Sequence, residues 1–182
     1  MTVWLNRAGS HGEYQQKFIQ EGRIYLTWAG LAVDLGKLID RDALSSIMMK
    51  CYPKTKSNTI MNWVSQLWPF AHAMKKGDLV VLPLKMKSAI CIGEITGDYH
   101  FEPKGPDPFF HWREVTWIAK SVPRANFGKD LLFTMRSLLR VCRIQRNDAE
   151  ARFKVMRANG WQAEPVAKLH AETTTPKDRN RT

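Results

Sequence analysis

Cysteine is scarce. Cys51, Cys91 and Cys142 are all that 182 residues contain, and no two form a C-x-x-C pair. An odd count without that spacing argues against a disulfide framework and against a zinc site. It suits a reducing compartment, so a cytoplasmic location is expected. Two of the three cysteines fall in apolar runs and read as small core residues. Long apolar runs are missing as well: none approaches the roughly 18 residues of a membrane-spanning helix. The start, Met1-Thr2-Val3-Trp4-Leu5-Asn6-Arg7, meets a charge too soon for a signal peptide. Nucleotide-binding and nucleophile motifs of the G-x-x-x-x-G-K-[ST], G-x-G-x-x-G and G-x-S-x-G types do not occur. The five histidines are scattered. His100 and His111 flank a Pro/Gly loop near Glu94 and Asp98, but no helical or strand-paired ligand spacing supports a metal there. Glu102-Pro103-Lys104 is the nearest approach to a nuclease acid-x-Lys element, and its proline spoils the strand such a site needs. The expectation is therefore a binding module, not an enzyme, with no metal and no cofactor.

Basic charge is abundant. Lys and Arg number 28 against 17 Asp and Glu, a formal net charge of +11. That balance favours a polyanionic partner, nucleic acid before an acidic membrane surface. The excess is concentrated: Arg113 to Arg157 holds 11 Lys/Arg and 4 Asp/Glu, a local net of +7. Arg113, Arg124, Lys129, Arg136, Arg140, Arg143 and Arg146 are the candidate phosphate contacts.

Periodicity and punctuation give the outline of a fold. Val3 to Asn6 reads as a strand, and His11 to Gln20 as a helix stopped by Gly22. Arg23 to Trp28 is a second strand. Asp40 can cap a helix that ends before Pro53, and another opens near Ser57 and is expected to kink or stop at Pro69. Further strands are expected at Leu79–Leu84, Ala89–Tyr99 and Phe109–Ile118. Asn147 can cap a last helix with Glu150 in a capping box and Gly160 as its stop. Five or six strands closing on one another, with helices outside, suggest an α+β fold built on a small twisted β-barrel. The expected domain spans 1–161, and 162–182 read as a polar flexible tail or linker.

Aromatic residues are the other surplus. Seven tryptophans are present, several beside turns or charges. Rings at strand–loop junctions within a cationic surface suit the stacking of an unpaired base. Most tryptophans in any chain are core, and Trp4, Trp63 and Trp117 read that way here. Trp28, Tyr99 and the group Phe109, Phe110 and Trp112 are the candidates for a pocket.

The runs Gly77-Asp78-Leu79-Val80-Val81, Ile92 to Tyr99, and His111 to Ile118 resemble the PUA-like superfamily, its EVE and YTH domains above all. Tyr25-Leu26-Thr27-Trp28 resembles the YTH strand that ends in a cage tryptophan. With Arg7-Ala8-Gly9-Ser10-His11-Gly12-Glu13-Tyr14, the pattern is similar to the N-terminal reader of Mrr-type, modification-dependent restriction endonucleases. The resemblance implies a barrel that flips a modified base into an aromatic cage. Trp28 would be one wall, and Phe109, Phe110 or Trp112 the other. Arg7 and Ser10 are placed to contact the base edge. The stretch beyond Trp161 is polar and resembles no nuclease domain, so a nuclease domain or subunit would be a partner. Modified double-stranded DNA is the expected ligand, within a restriction or defence system. RNA recognition by a PUA-like module and a fragment of a restriction endonuclease are the alternatives.

Overall fold

The structure, a computed structural model, describes residues 1–164. Seven strands form one mixed sheet: β1 (Val3–Asn6), β2 (Arg23–Leu26), β3 (Leu79–Pro83), β4 (Ala89–Ile95), β5 (His100–Phe101), β6 (His111–Pro123) and β7 (Val141–Arg143). The order is β2-β6-β4-β3-β1-β7, with β5 added to β6. β1 runs parallel to β3, and the other pairings are antiparallel. The helices are α1 (Gln15–Glu21), α2 (Arg41–Cys51), α3 (Ser57–His72), α4 (Lys129–Thr134) and α5 (Ala149–Ala158).

The central strands are covered on both faces, which is why they read as continuous apolar runs rather than as alternation. Trp4, Val80, Leu82 and Cys91 point into one core, shared with Phe18 of α1, Leu44 and Met48 of α2, and Ile60, Leu67 and Phe70 of α3. Val3, Leu5, Leu79, Val81, Ile90 and Ile92 point into the other, closed by Leu131 of α4 and Phe153 and Met156 of α5. Each fully buried side chain of this size contributes about 1.5–3 kcal/mol. Burial also pushes the Cys91 thiol up to about 12, so it is an inert core group.

The sheet curls. β1 and β2 are separated by three strands, yet Asn6 Nδ2 lies 3.5 Å from the Tyr25 carbonyl. Arg140, just before edge strand β7, donates to the carbonyl of Thr27, just after edge strand β2, at 2.8 Å. Side chains bridge the seam and, among the described residues, no backbone pairing joins β2 to β7, so the sheet is a half-barrel rather than a closed one. Gly93 permits the bend where the β4–β6 register shifts. A Cβ at that position would fall onto Val115 and come within 2.8 Å of the Trp117 ring.

Several local expectations change. Asp40 caps α2 as expected, accepting from the Ala43 N–H at 2.8 Å. Pro69, expected to end or kink α3, lies inside a helix that continues to His72. The reason is tertiary: Arg113 reaches over from β6 and donates to the carbonyls of Phe70 (2.7 Å) and Ala71 (3.1 Å), satisfying the last turn. No capping box forms at α5. Asn147 and Asp148 both take positive φ, and Asp148 makes no side-chain cap. Glu150 instead binds Arg143 at 2.6 Å, and Asn147 donates to Asp130 O and Thr134 Oγ1. The ordered fold also runs past Trp161. Glu164 accepts from Arg152 Nη2 and from the Gly128 N–H, both at 2.6 Å, while Arg152 also grips Asp130. Residues 162–164 are therefore part of the domain, and the rest of the expected tail lies outside the described residues. No described helix is long and apolar enough to cross a membrane.

Candidate functional site

β1, β3 and β6 run in the same direction, because β4 is antiparallel to both β3 and β6. Their C-terminal ends meet at one edge of the sheet, and a cavity of about 450 Å³ opens there. Arg7, Gly9 and Ser10 follow β1. Pro83, Leu84 and Lys85 end β3. Arg124 follows β6. Met135, Arg136, Leu138 and Arg140 come from the loop between α4 and β7. Five cations thus face one cavity, and no carboxylate is among the described residues that line it. A concave site of this size, lined by both apolar and cationic side chains, is of the kind that holds a small molecule or a single nucleotide unit.

The walls are fixed by long-range bonds. The Arg7 backbone N–H donates to Arg140 O at 2.8 Å. Its guanidinium donates to Ser137 O at 3.0 and 2.6 Å and to Met135 O at 3.2 Å. Burial holds that guanidinium below its ordinary value, but it stays charged. On the other side the buried Gln66 of α3 accepts from the Arg140 N–H at 2.8 Å. Gly9 adopts φ +86°, and any Cβ there would collide with the Glu13 carboxylate that caps the turn through the His11 N–H. The Lys85 N–H donates to Gln15 Oε1 at 3.1 Å, which ties the β3–β4 connection to α1. The cavity is thus held open by a rigid frame. Asn6, one residue before Arg7, is fully buried, and its Oδ1 has no partner among the described residues. Such an acceptor costs about 1–3 kcal/mol.

Arg7 and Ser10, expected at a base edge, and Arg124, Arg136 and Arg140, expected on phosphates, come together at this one cavity. The other cations do not. Arg113 is not at this cavity: only 4% exposed, it donates to the carbonyls of Phe70, Ala71 and Gly97, which makes it a structural cap at the floor of a second concavity. Arg143 lies on β7, paired with Glu150. Lys129 and Arg146 are exposed but do not line the cavity.

The expected cage residues lie away from this cavity: no ring lines it among the described residues, and Tyr99 lines the second, shallower concavity with His72, Lys75 and Lys76. Trp28 is 4% exposed, edge-on to Trp63, with the Arg140 guanidinium 4.8 Å above its ring. Trp112 is engaged by His100, stacked at 4.3 Å, and by the Arg23 guanidinium 3.7 Å from its ring. Phe109 sits between Tyr14 and Tyr25, with Lys17 4.7 Å from its ring, and Phe110 is buried. Tyr99 serves the fold: its hydroxyl accepts from the Leu35 N–H at 3.1 Å and donates to His111 Nδ1 at 2.7 Å. His111 Nε2 then donates to Leu31 O at 2.7 Å, which fixes the neutral tautomer. Burial pushes the Tyr99 phenol up and pulls the fully buried His111 down to about 4.

Sequence reasoning missed Lys85 and Leu138. The spacing Arg136-Ser137-Leu138-Leu139-Arg140 was the available signal, two cations bracketing a short apolar step outside any periodic element.

No curated protein matches this chain significantly. A solved structure of a hypothetical protein from Leishmania major is similar over 88% of this chain and 97% of that one, with 12% identity and a TM-score of 0.39, a likeness too loose to support inference. Residues 2–141, which contain every residue named as lining the cavity, match the domain of unknown function DUF8426, and the chain belongs to that family.

Proposed function

We propose that this protein binds nucleic acid at the cavity, with phosphates held by Arg124, Arg136 and Lys85 and one unpaired base received by Arg7, Ser10 and Arg140. The observation that carries the reading is the gathering of five cations, without a carboxylate, around one cavity in a chain of net charge +11. Cations held this close repel one another, and an anionic ligand relieves that repulsion. Guanidinium planes stack on bases as aromatic rings do, so the lack of a ring in the wall is no obstacle. The resemblance to PUA-like readers directs the finer reading toward duplex DNA with a methylated or hydroxymethylated base. Ser10 and the guanidiniums would then read the base edge.

The test is a titration of short duplexes, modified at cytosine or adenine and unmodified, at stepped salt. With about three phosphates neutralised, by Lys85, Arg124 and Arg136, the log–log slope is expected near −3. The variant Arg124→Glu/Arg136→Glu is expected to flatten it by about two. A wild-type slope near zero for every oligonucleotide, single strands included, sinks the nucleic-acid reading. Equal affinity for modified and unmodified duplexes sinks only the modified-base part.

A further inference from the structure

Leu138 is 96% exposed, although its immediate surroundings are among the most firmly held of the loops. The Ser137 carbonyl beside it accepts two bonds from Arg7, the Leu139 N–H donates to Ser137 Oγ at 3.2 Å, and the Arg140 N–H is held by Gln66. A leucine on a mobile loop would sample burial. This one is pinned in water at the mouth of the cationic cavity, between Arg136 and Arg140. The connection after β3 presents a second apolar tip beside the cavity: Met86 is 86% exposed and comes directly after Lys85, which lines the cavity. Two large apolar side chains thus stand in solvent where cations would grip a phosphate backbone. Proteins that draw a base out of a duplex use leucine or methionine in this way, entering the stack as the base leaves.

We infer that Leu138 is a wedge for duplex DNA, entering the stack at the step from which a base is drawn into the cavity, with Met86 as a second, supporting apolar tip. The inference rests on the nucleic-acid reading above and adds that the ligand is a duplex opened by the protein itself. Leu138 makes no contribution to the core, so replacing it leaves the fold intact. Its effect falls on the step that separates a duplex from a single strand, whereas loss of the cavity cations weakens both.

The experiment uses the full chain and three probes: a short DNA duplex with 2-aminopurine opposite thymine, the same duplex with an abasic site opposite, and the 2-aminopurine strand alone. Wild type is expected to bind the paired duplex with a rise in 2-aminopurine fluorescence, which reports unstacking. Leu138→Ser is expected to lose about tenfold in affinity for the paired duplex, equal to about 1.4 kcal/mol and so part of the unstacking cost, and to abolish the rise. Its affinity for the single strand stays within about twofold of wild type, and the abasic duplex restores its binding. Met86→Ser shows the same pattern more weakly. Unchanged duplex binding and fluorescence in Leu138→Ser overturns the wedge and leaves the nucleic-acid reading standing, as does an equal loss on duplex and single strand. Wild type that binds only single strands overturns the wedge alone, and wild type that binds none of the probes overturns both readings.

Discussion

Around β5 and β6 the aromatic rings are packed against one another; around the ends of β1, β3 and β6 the cations face open space. Trp112 is engaged by His100 and Arg23, and Phe109 is enclosed by Tyr14 and Tyr25. Arg7, Arg124, Arg136 and Arg140 line a cavity. An aromatic ring gains from any apolar neighbour, so a surplus of rings tends to be absorbed by the core. A guanidinium needs oriented acceptors: Arg7 and Arg140 direct some of their donors to backbone carbonyls, and with no carboxylate beside them among the described residues they keep their positive charge uncompensated at the cavity. Here unmatched cations, not rings, mark the candidate site.

The same contrast divides the tryptophans, and its breaking gives the largest expected effect. Trp28→Ala, which empties a core position under Arg140, is expected to cost about 3–5 kcal/mol by chemical denaturation. Trp112→Ala, which removes a half-exposed stacking partner, is expected to cost about 1 kcal/mol. Equal losses would mean that the two sides are packed alike. The arginines divide in parallel. Arg113→Met leaves three carbonyls without their donor and is expected to cost about 3 kcal/mol. Arg136→Met is expected to stay within about 0.5 kcal/mol and to reduce binding instead.

His111 sharpens the comparison through pH. Its folded-state value of about 4 lies below the ordinary 6.5, so the folded protein disfavours the imidazolium. Its stabilising contribution is complete above about pH 6.5 and is lost as pH falls toward 4, about 3 kcal/mol in all. The carboxylates held low by hydrogen bonds, such as Asp130 and Glu164, act only at lower pH. The loss between pH 6.5 and 5, expected to be about 2 kcal/mol, therefore reports His111. A flat denaturation midpoint across that window contradicts the buried neutral assignment. A smaller effect concerns the chain end: cutting after Trp161 removes Glu164 from Arg152 and is expected to cost about 1–2 kcal/mol. A shift below about 0.5 kcal/mol would show that this ion pair contributes little.

Elements with strong local signals were legible in the sequence. Asp40 capping α2 and the apolar runs of β3 and β4 depend on neighbours in the chain. α4 and β7 were not foreseen, because their 6 and 3 residues are too short for periodicity to register. Pro69 does not end α3, because the carbonyls beyond it are bound by Arg113, which reaches Phe70 from 43 residues away. Within the site, Arg7, Ser10, Arg124, Arg136 and Arg140 were named from charge and position. Their convergence was not foreseen, since it depends on the parallel pairing of β1 with β3. Trp28 was misplaced for a related reason: Ala29 and Gly30 after it suggested open space, but Trp63 and Arg140, distant in sequence, cover the ring.

The seating of β1 has a consequence for how the chain acquires its shape. One neighbour, β3, begins at Leu79, and the other, β7, begins at Val141. During synthesis β1 emerges long before either of them. The bonds from Arg7 to Met135 and Ser137, up to 130 residues distant, are among the last contacts available. Loop-closure entropy makes such pairings slow to form. The cavity is therefore assembled at the end of folding, and an intermediate lacking the 135–143 segment would expose the apolar edge of β1 to other chains.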